Sequence, residues 1–215
     1  MFDAKRLLDQ LVGSGAAGGF AGGLAGGALA NALSGKKTRK IAGSALQLGG
    51  MALVGGLAYK AWQNYQQGSG AAASPGFATP PEGSAFLPDS NDTAGVSALN
   101  LLLARAMIAA AKADGQIDTQ ESQTILNQIN SLDMPAEDKA FLFEEYARPL
   151  DVPGLTASVD SPEHAAEVYA ASVMMVDPPS PPEKIYLDTL RRELGLEAGL
   201  AGEIHATVQA NRAGT

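Results

Sequence analysis

Three acidic side chains fall within one stretch of eight residues, DGQIDTQE: Asp114, Asp118 and Glu121. Carboxylates grouped in this way are the oxygen ligands that Ca²⁺ and Mg²⁺ prefer, and the glycine after Asp114 matches the glycine of an EF-hand loop. The same alignment, however, gives two of the cation's ligand positions to Ala110 and Lys112. Because an alanine and a lysine remove most of the oxygen cage, the stretch is not an EF-hand loop.

Helix capping explains the same stretch without a metal. Gly115 can adopt the left-handed conformation that ends one helix, and Asp118 with Glu121 forms the cap-x-x-Glu pattern that begins the next. A weak, exposed cation site made of the three carboxylates is a second interpretation. Its incomplete cage predicts an affinity no better than roughly millimolar.

The same plan occurs a second time further along the chain. In both copies an apolar helix leads through an aspartate, Asp114 or Asp177, into a turn and a capped helix start. The second start is Ser180-x-x-Glu183, and its turn is one residue shorter and contains prolines. Two such units packed about a pseudo-twofold axis would bring the acids of both turns toward one surface.

Other side chains that could do chemistry are few. The chain has no cysteine, which excludes thiol nucleophiles and cysteine-ligated metal sites. Its two histidines, His164 and His205, each lie alone in a predicted helix, and no phosphate loop, Gly-x-Ser-x-Gly or His-Glu-x-x-His motif occurs. The sequence therefore predicts a protein that is not an enzyme.

Charge is distributed unevenly along the chain. Residues 1–96 carry seven basic and five acidic side chains, which leaves eight basic and 18 acidic ones for 97–215. Because phosphate binding needs clustered Lys and Arg, the acidic second half argues against nucleic acid as a partner.

The first third of the chain, residues 1–65, has the pattern of a membrane-associated segment. Residues 41–59 are uncharged, have the length of a bilayer span, and lie between a basic cluster at 36–40 and the aromatic Trp62. A second candidate span covers 13–34, where the high glycine content makes the hydrophobicity marginal. The basic cluster predicts that its own side of the membrane is the cytoplasm and that the acidic domain lies outside.

Glycines in the first of these stretches recur at every fourth residue. On a helix they leave a flat ridge against which another helix can pack closely, so the pattern predicts a glycine zipper and a homo-oligomer. The six glycines are Gly18, Gly22 and Gly26, together with Gly19, Gly23 and Gly27.

The rest of the chain divides into a linker and a helical domain. Residues 66–94 are rich in glycine, serine and proline, which predicts a flexible linker. In 95–215 apolar side chains recur at helical spacing, with helix starts marked at Asp92 or Thr93 and at Ser180. The predicted fold class is all-α, a bundle of five to seven helices.

The string KADGQID with its following glutamate, and the echo MMVD with PPEK, resemble the TerB-like helical domain, named for tellurite-resistance proteins. The Gly/Ala-rich leader before it resembles that of the YebE-like bacterial inner-membrane proteins, a family of unknown function. The resemblance covers the whole chain in layout and is specific over 95–195. It implies a cytosolic all-α domain, in contrast to the topology that the basic cluster predicts, and an acidic patch that binds metal ions. The matching residues here are Asp114, Asp118, Glu121, Asp177 and Glu183.

These observations predict a membrane-anchored, non-enzymatic helical interaction module at the bacterial inner membrane. Its expected partners are membrane lipid and an unknown protein, and its acidic surface is expected to respond to a divalent cation, Ca²⁺ or Mg²⁺, in envelope or metal stress. The alternative is a membrane-structural protein that oligomerises through its glycine zipper.

Overall fold

The computed structural model describes residues 50–68, 78–89, 91–113, 136–176 and 179–213. These residues form seven α-helices and no β-strand, which confirms the predicted all-α class. In chain order the helices are α1 (Gly50–Gln66), α2 (Thr93–Ala111), α3 (Ala136–Ala147), α4 (Val152–Thr156), α5 (Pro162–Val176), α6 (Pro181–Glu193) and α7 (Ala198–Ala213).

Helix α5 is the centre of the bundle. It packs against α1, α2, α6 and α7, and every residue from Ala165 to Val176 is buried. A helix that is buried around its whole circumference needs other helices to cover all its faces. Its alanines, Ala166, Ala170 and Ala171, allow the neighbouring helices to approach closely.

The helix ends follow the predicted capping residues. Asp92 is the N-cap of α2, where its carboxylate accepts the backbone N–H of Gly95 at 3.0 Å. Ser180 and Glu183 form a complete capping box at the start of α6. The short helix α4 was not predicted, although Asp151 caps it in the same way.

Helix α1 lies inside the bundle, where the sequence predicted the second half of a membrane span. Its side chains Leu53, Val54 and Leu57 are at most 5% exposed. They pack against α5 and α7. Leu53, Val54, Leu57 and Ala58 are therefore part of the protein core, and the span over 41–59 stays a prediction, since the residues before Gly50 lie outside the described part of the chain.

Part of the predicted linker also belongs to the core. We call residues 78–89 the Phe86 segment. Phe86 and Leu87 are each only 5% exposed, and the Phe86 ring packs between Tyr59 and Trp62 of α1. Two buried side chains and α1 thus lie on the N-terminal side of the boundary at 94, which stays a prediction.

Within the described residues one helix, α2, is long and apolar enough to cross a membrane by length and composition. Half of that helix is buried in the bundle. A core helix of a soluble protein passes the same test, so the finding is compatible with membrane association and does not establish a compartment.

Candidate functional site

Most of the predicted site residues lie outside the described part of the chain. This applies to the acids Asp114, Asp118, Glu121 and Asp177 and to the six zipper glycines. Glu183 is described, and its carboxylate accepts the backbone N–H of Ser180 at 2.6 Å. Glu183 therefore caps α6, and among the described residues no group of three or more His, Asp or Glu side chains could hold a metal ion.

Each histidine ring lies beside an oxygen-bearing side chain. His164 lies 2.5 Å from Asp160 through Nδ1, and His205 lies 3.1 Å from the hydroxyl of Tyr169 through Nε2. Burial raises the pKa of Tyr169 to about 12, so this hydroxyl stays protonated beside the imidazole.

The feature that the sequence did not predict is a groove along the outer side of α2, which we call the α2 groove. It consists of two basins that share Arg105. Since α2 has 19 residues, the groove follows a helix of about 28 Å. Arg105 is the single charged residue in this helix, and a lone cation in an otherwise uncharged helix is the sequence signal that could have indicated a surface here.

The first basin lies at the N-terminal end of α2 and has a volume of about 490 Å³. Gly95, Ala98 and Leu101 of α2 form its floor, and the Phe86 segment forms one wall. Asp160 and His164 lie at its edge. The basin is thus an apolar trough with small floor residues and an acidic rim.

The second basin lies at the C-terminal end of α2 and has a volume of about 450 Å³. Arg105 donates to Glu145 at 3.3 Å, and Arg148 bonds the other oxygen of Glu145 at 2.7 Å. Lys112 donates to the carbonyl oxygens of Glu145 and Arg148. These bonds fix α3 beside α2 and satisfy carbonyl groups at the end of α3 that have no helical partner.

The two ends of the groove carry opposite charge. Asp160 at the first end has a side chain that is 79% exposed, while Arg148 at the second end is 60% exposed. Desolvation lowers the pKa of Lys112. An apolar trough with an acidic end and a basic end can bind an elongated, apolar ligand whose own charge is polarised along its length.

Comparison with known proteins gives the family of the chain and no function. Residues 18–208 match the family model described as a protein of unknown function, DUF533. Neither the curated proteins nor the solved structures include a match. The matched range begins at the first zipper glycine and runs nearly to the end of α7, so leader and bundle form one family unit. The chain therefore belongs to the DUF533 family of proteins of unknown function.

Proposed function

We propose that the chain is a membrane-anchored, non-enzymatic interaction module that binds an amphipathic helix of a partner protein in the α2 groove. The observation that carries the proposal is the groove itself, which runs the length of α2 and is floored by small and apolar side chains. Grooves of this kind bind helices through apolar residues spaced three and four apart.

Charge complementarity favours a helix as the occupant and sets its direction. A helix carries partial positive charge at its N-terminus and partial negative charge at its C-terminus. The N-terminus of the bound helix would lie near Asp160, and its C-terminus near Arg148, parallel to α2. A bound helix in the reverse direction would place like charges together at both ends.

The anchor in this proposal is the Gly/Ala-rich leader. Helix α1 begins at Gly50 and packs in the bundle core against α5 and α7, so the proposed anchor precedes a helix of the groove-bearing domain. Three further parts of the proposal rest on the sequence. They are the TerB-like and YebE-like resemblance, the inner-membrane location, and an acidic turn at Asp114, Asp118 and Glu121 that responds to a cation.

A pair of matched variants tests the groove. A photoreactive amino acid replaces Leu101 in the full chain in cells, combined with Ala98→Lys or Ala94→Lys. Both alanines are exposed on α2, but Ala98 lines the groove and Ala94 does not. We expect a crosslinked protein partner that disappears with Ala98→Lys and persists with Ala94→Lys. Adducts formed only with lipid, or only with a second copy of the chain, would overturn the helix-binding proposal.

The glycine-zipper alternative has one observation in its favour, because the family match starts at Gly18 and includes the repeated glycines. Deletion of residues 1–49 separates the two functions without removing α1. Crosslinking at Leu101 survives this deletion if the groove binds the partner. It is lost, together with any oligomer, if the zipper assembles the functional unit.

A further inference from the structure

Glu167, in the middle of α5, is a fully buried carboxyl group. Its side chain has no exposed surface, and neither oxygen has a hydrogen-bond partner among the described residues. The other buried polar side chains in that part of the chain are Asn100, Ser172, Thr207 and Asn211, none of which ionises. Buried polar groups in folded proteins are nearly always satisfied, so an unpaired carboxyl calls for a physical reason.

The carboxyl group is covered by α1 and by the Phe86 segment. A Cβ atom at Gly55 would lie 2.8 Å from Oε1 of Glu167 and 3.1 Å from the carbonyl oxygen of Phe86. Any side chain at position 55 would therefore collide with the acid. The absence of a Cβ at Gly55 is what gives Glu167 its place beneath α1.

No cation of the described residues compensates a negative charge at this position. Glu163, one turn earlier on α5, adds a like charge. On the other helices around α5, Arg105 bonds Glu145, Arg191 bonds Asp188 and His205 lies beside Tyr169. On α1, Lys60 lies on a different face from Gly55, because five residues turn a helix by about 140° beyond one full turn.

Ionisation of Glu167 therefore conflicts with the closed bundle. Desolvation first, and the charge of Glu163 second, raise the pKa of Glu167 well above its ordinary value. Burying an unpaired carboxylate costs far more than burying the neutral acid, so the ionised group must be hydrated. The Phe86 segment packs on α1, and its Phe86 carbonyl lies near the same Gly55 position as the Glu167 carboxyl group, so movement of this segment would let water reach the acid.

We propose that Glu167 is a proton switch that controls the seating of the Phe86 segment: the neutral acid keeps the segment packed on α1, and the carboxylate displaces it. The segment supplies Ser84, Ala85 and Pro88 to the wall of the first basin of the α2 groove. Its displacement would remove that wall, so partner binding would be strongest with Glu167 protonated. The effect on binding rests on the proposed function, whereas the movement itself does not.

Trp62 reports on this movement. It is the single tryptophan of the chain, and its ring packs edge-on against Phe86 with centroids 5.6 Å apart. The experiment follows Trp62 emission and its quenching by acrylamide in the full-length protein in detergent micelles, from about pH 4 to about pH 9, the range of displaced carboxyl pKa values. Circular dichroism records the helix content in parallel.

For the wild type we expect one transition of about one proton, above the ordinary carboxyl range, with a red-shifted emission and stronger quenching at high pH. Glu167→Gln should keep the low-pH spectrum throughout. Glu163→Gln, the matched control one turn away, should keep the transition and move it to lower pH, because a like charge has been removed.

Three results would overturn the proposal. One is a wild-type spectrum that does not change over the whole range while the helix content stays constant. Another is the same transition in Glu167→Gln. The third concerns Glu167→Met, a second uncharged side chain of similar length, which is used if Glu167→Gln does not fold. Persistence of the transition in Glu167→Met would also overturn the proposal. None of these results depends on a partner, so they are distinct from a failure of the crosslinking test.

Discussion

The ring of Tyr65, near the end of α1, occupies the space in which Gly199 of α7 would otherwise carry a side chain. A Cβ at Gly199 would lie 2.7 Å from Cε2 of the tyrosine. The Tyr65 hydroxyl also donates to Glu197, at the start of α7. These two contacts join the end of α1 to α7, and Gly55 provides the corresponding close contact between α1 and α5.

Gly199→Ala is expected to destabilise the bundle. The new methyl group must displace the Tyr65 ring, and overpacking of this kind costs about 1–3 kcal/mol. Gly202→Ala is the matched control on the same helix, since nothing lies within 4 Å of its Cβ position. There the alanine should stabilise the helix by up to about 1 kcal/mol. Denaturant unfolding of both variants measures the difference, and equal effects would contradict the packing seen at Tyr65.

Ser180→Ala should lower the free energy of unfolding by about 1 kcal/mol through loss of the N-cap of α6. Glu183→Gln should cost less, because an amide oxygen can still accept the Ser180 backbone N–H in the capping box. Melting temperatures with and without Ca²⁺ or Mg²⁺ add a second comparison. If Glu183 is a cap and not a ligand, its substitution leaves any cation-dependent shift unchanged.

The stability of the protein should depend on the ionisation of Glu167. Its native pKa is raised above the ordinary value of 4.5, so between these two values the native state binds more protons than the unfolded state. The free energy of unfolding therefore falls as pH rises through that window, by up to about 1.4 kcal/mol per pH unit, and levels off above the native pKa.

The difference in the free energy of unfolding between wild type and Glu167→Gln separates the contribution of Glu167 from that of the other carboxylates. It is measured by denaturant unfolding at a series of pH values. A difference that is constant across the window would show that Glu167 titrates normally in the folded protein.

Truncation should show that the folded unit begins at α1 and not at residue 95. A chain of residues 50–215 should unfold as cooperatively as the full protein. Removal of α1 in a 67–215 chain uncovers α5 and α7 and should cost about 1.5–3 kcal/mol for each large apolar side chain lost, among them Leu53, Val54 and Leu57. Thermal unfolding compares the two chains, and equal midpoints would contradict the packing of α1.

The acidic turn can be tested in the full chain by thermal unfolding. Asp118→Ala should cost about 1 kcal/mol with or without cations, through loss of the predicted N-cap. If the turn also binds Ca²⁺ or Mg²⁺ weakly, millimolar cation should raise the melting temperature by mass action. The double substitution Asp114→Asn with Asp118→Asn should then abolish the rise. A rise that survives this substitution places the cation elsewhere.

Local features of the chain were predictable because they depend on neighbouring residues. The helical period of the apolar residues predicted the all-α class. Asp92 and Ser180 marked helix starts, because a short polar side chain can bond the free backbone N–H groups in the first turn of the helix that it precedes. The family match over 18–208 covers most of the leader and the helical domain and supports a family of unknown function.

The placement of α1 could not be predicted in this way. An uncharged apolar helix of this length fits a bilayer span and a protein core equally well, since both environments exclude water. The packing of α1 against α5 and α7 shows that Leu53, Val54 and Leu57 lie in the protein core. The Phe86 segment has the composition of a linker, because two apolar residues among glycine and proline give no periodic signal.

The sequence by itself determined the helical class, the caps, the charge asymmetry and the glycine repeat. Each of these depends on residues that lie close together along the chain. The tertiary structure alone decided that α1 is a core helix, that α2 leaves an open groove, and that Glu167 lies unpaired beneath Gly55. These features arise from contacts between residues far apart in sequence. Gly55 and Glu167 are more than a hundred positions apart in the sequence, and the missing side chain of the one leaves the space for the carboxyl group of the other.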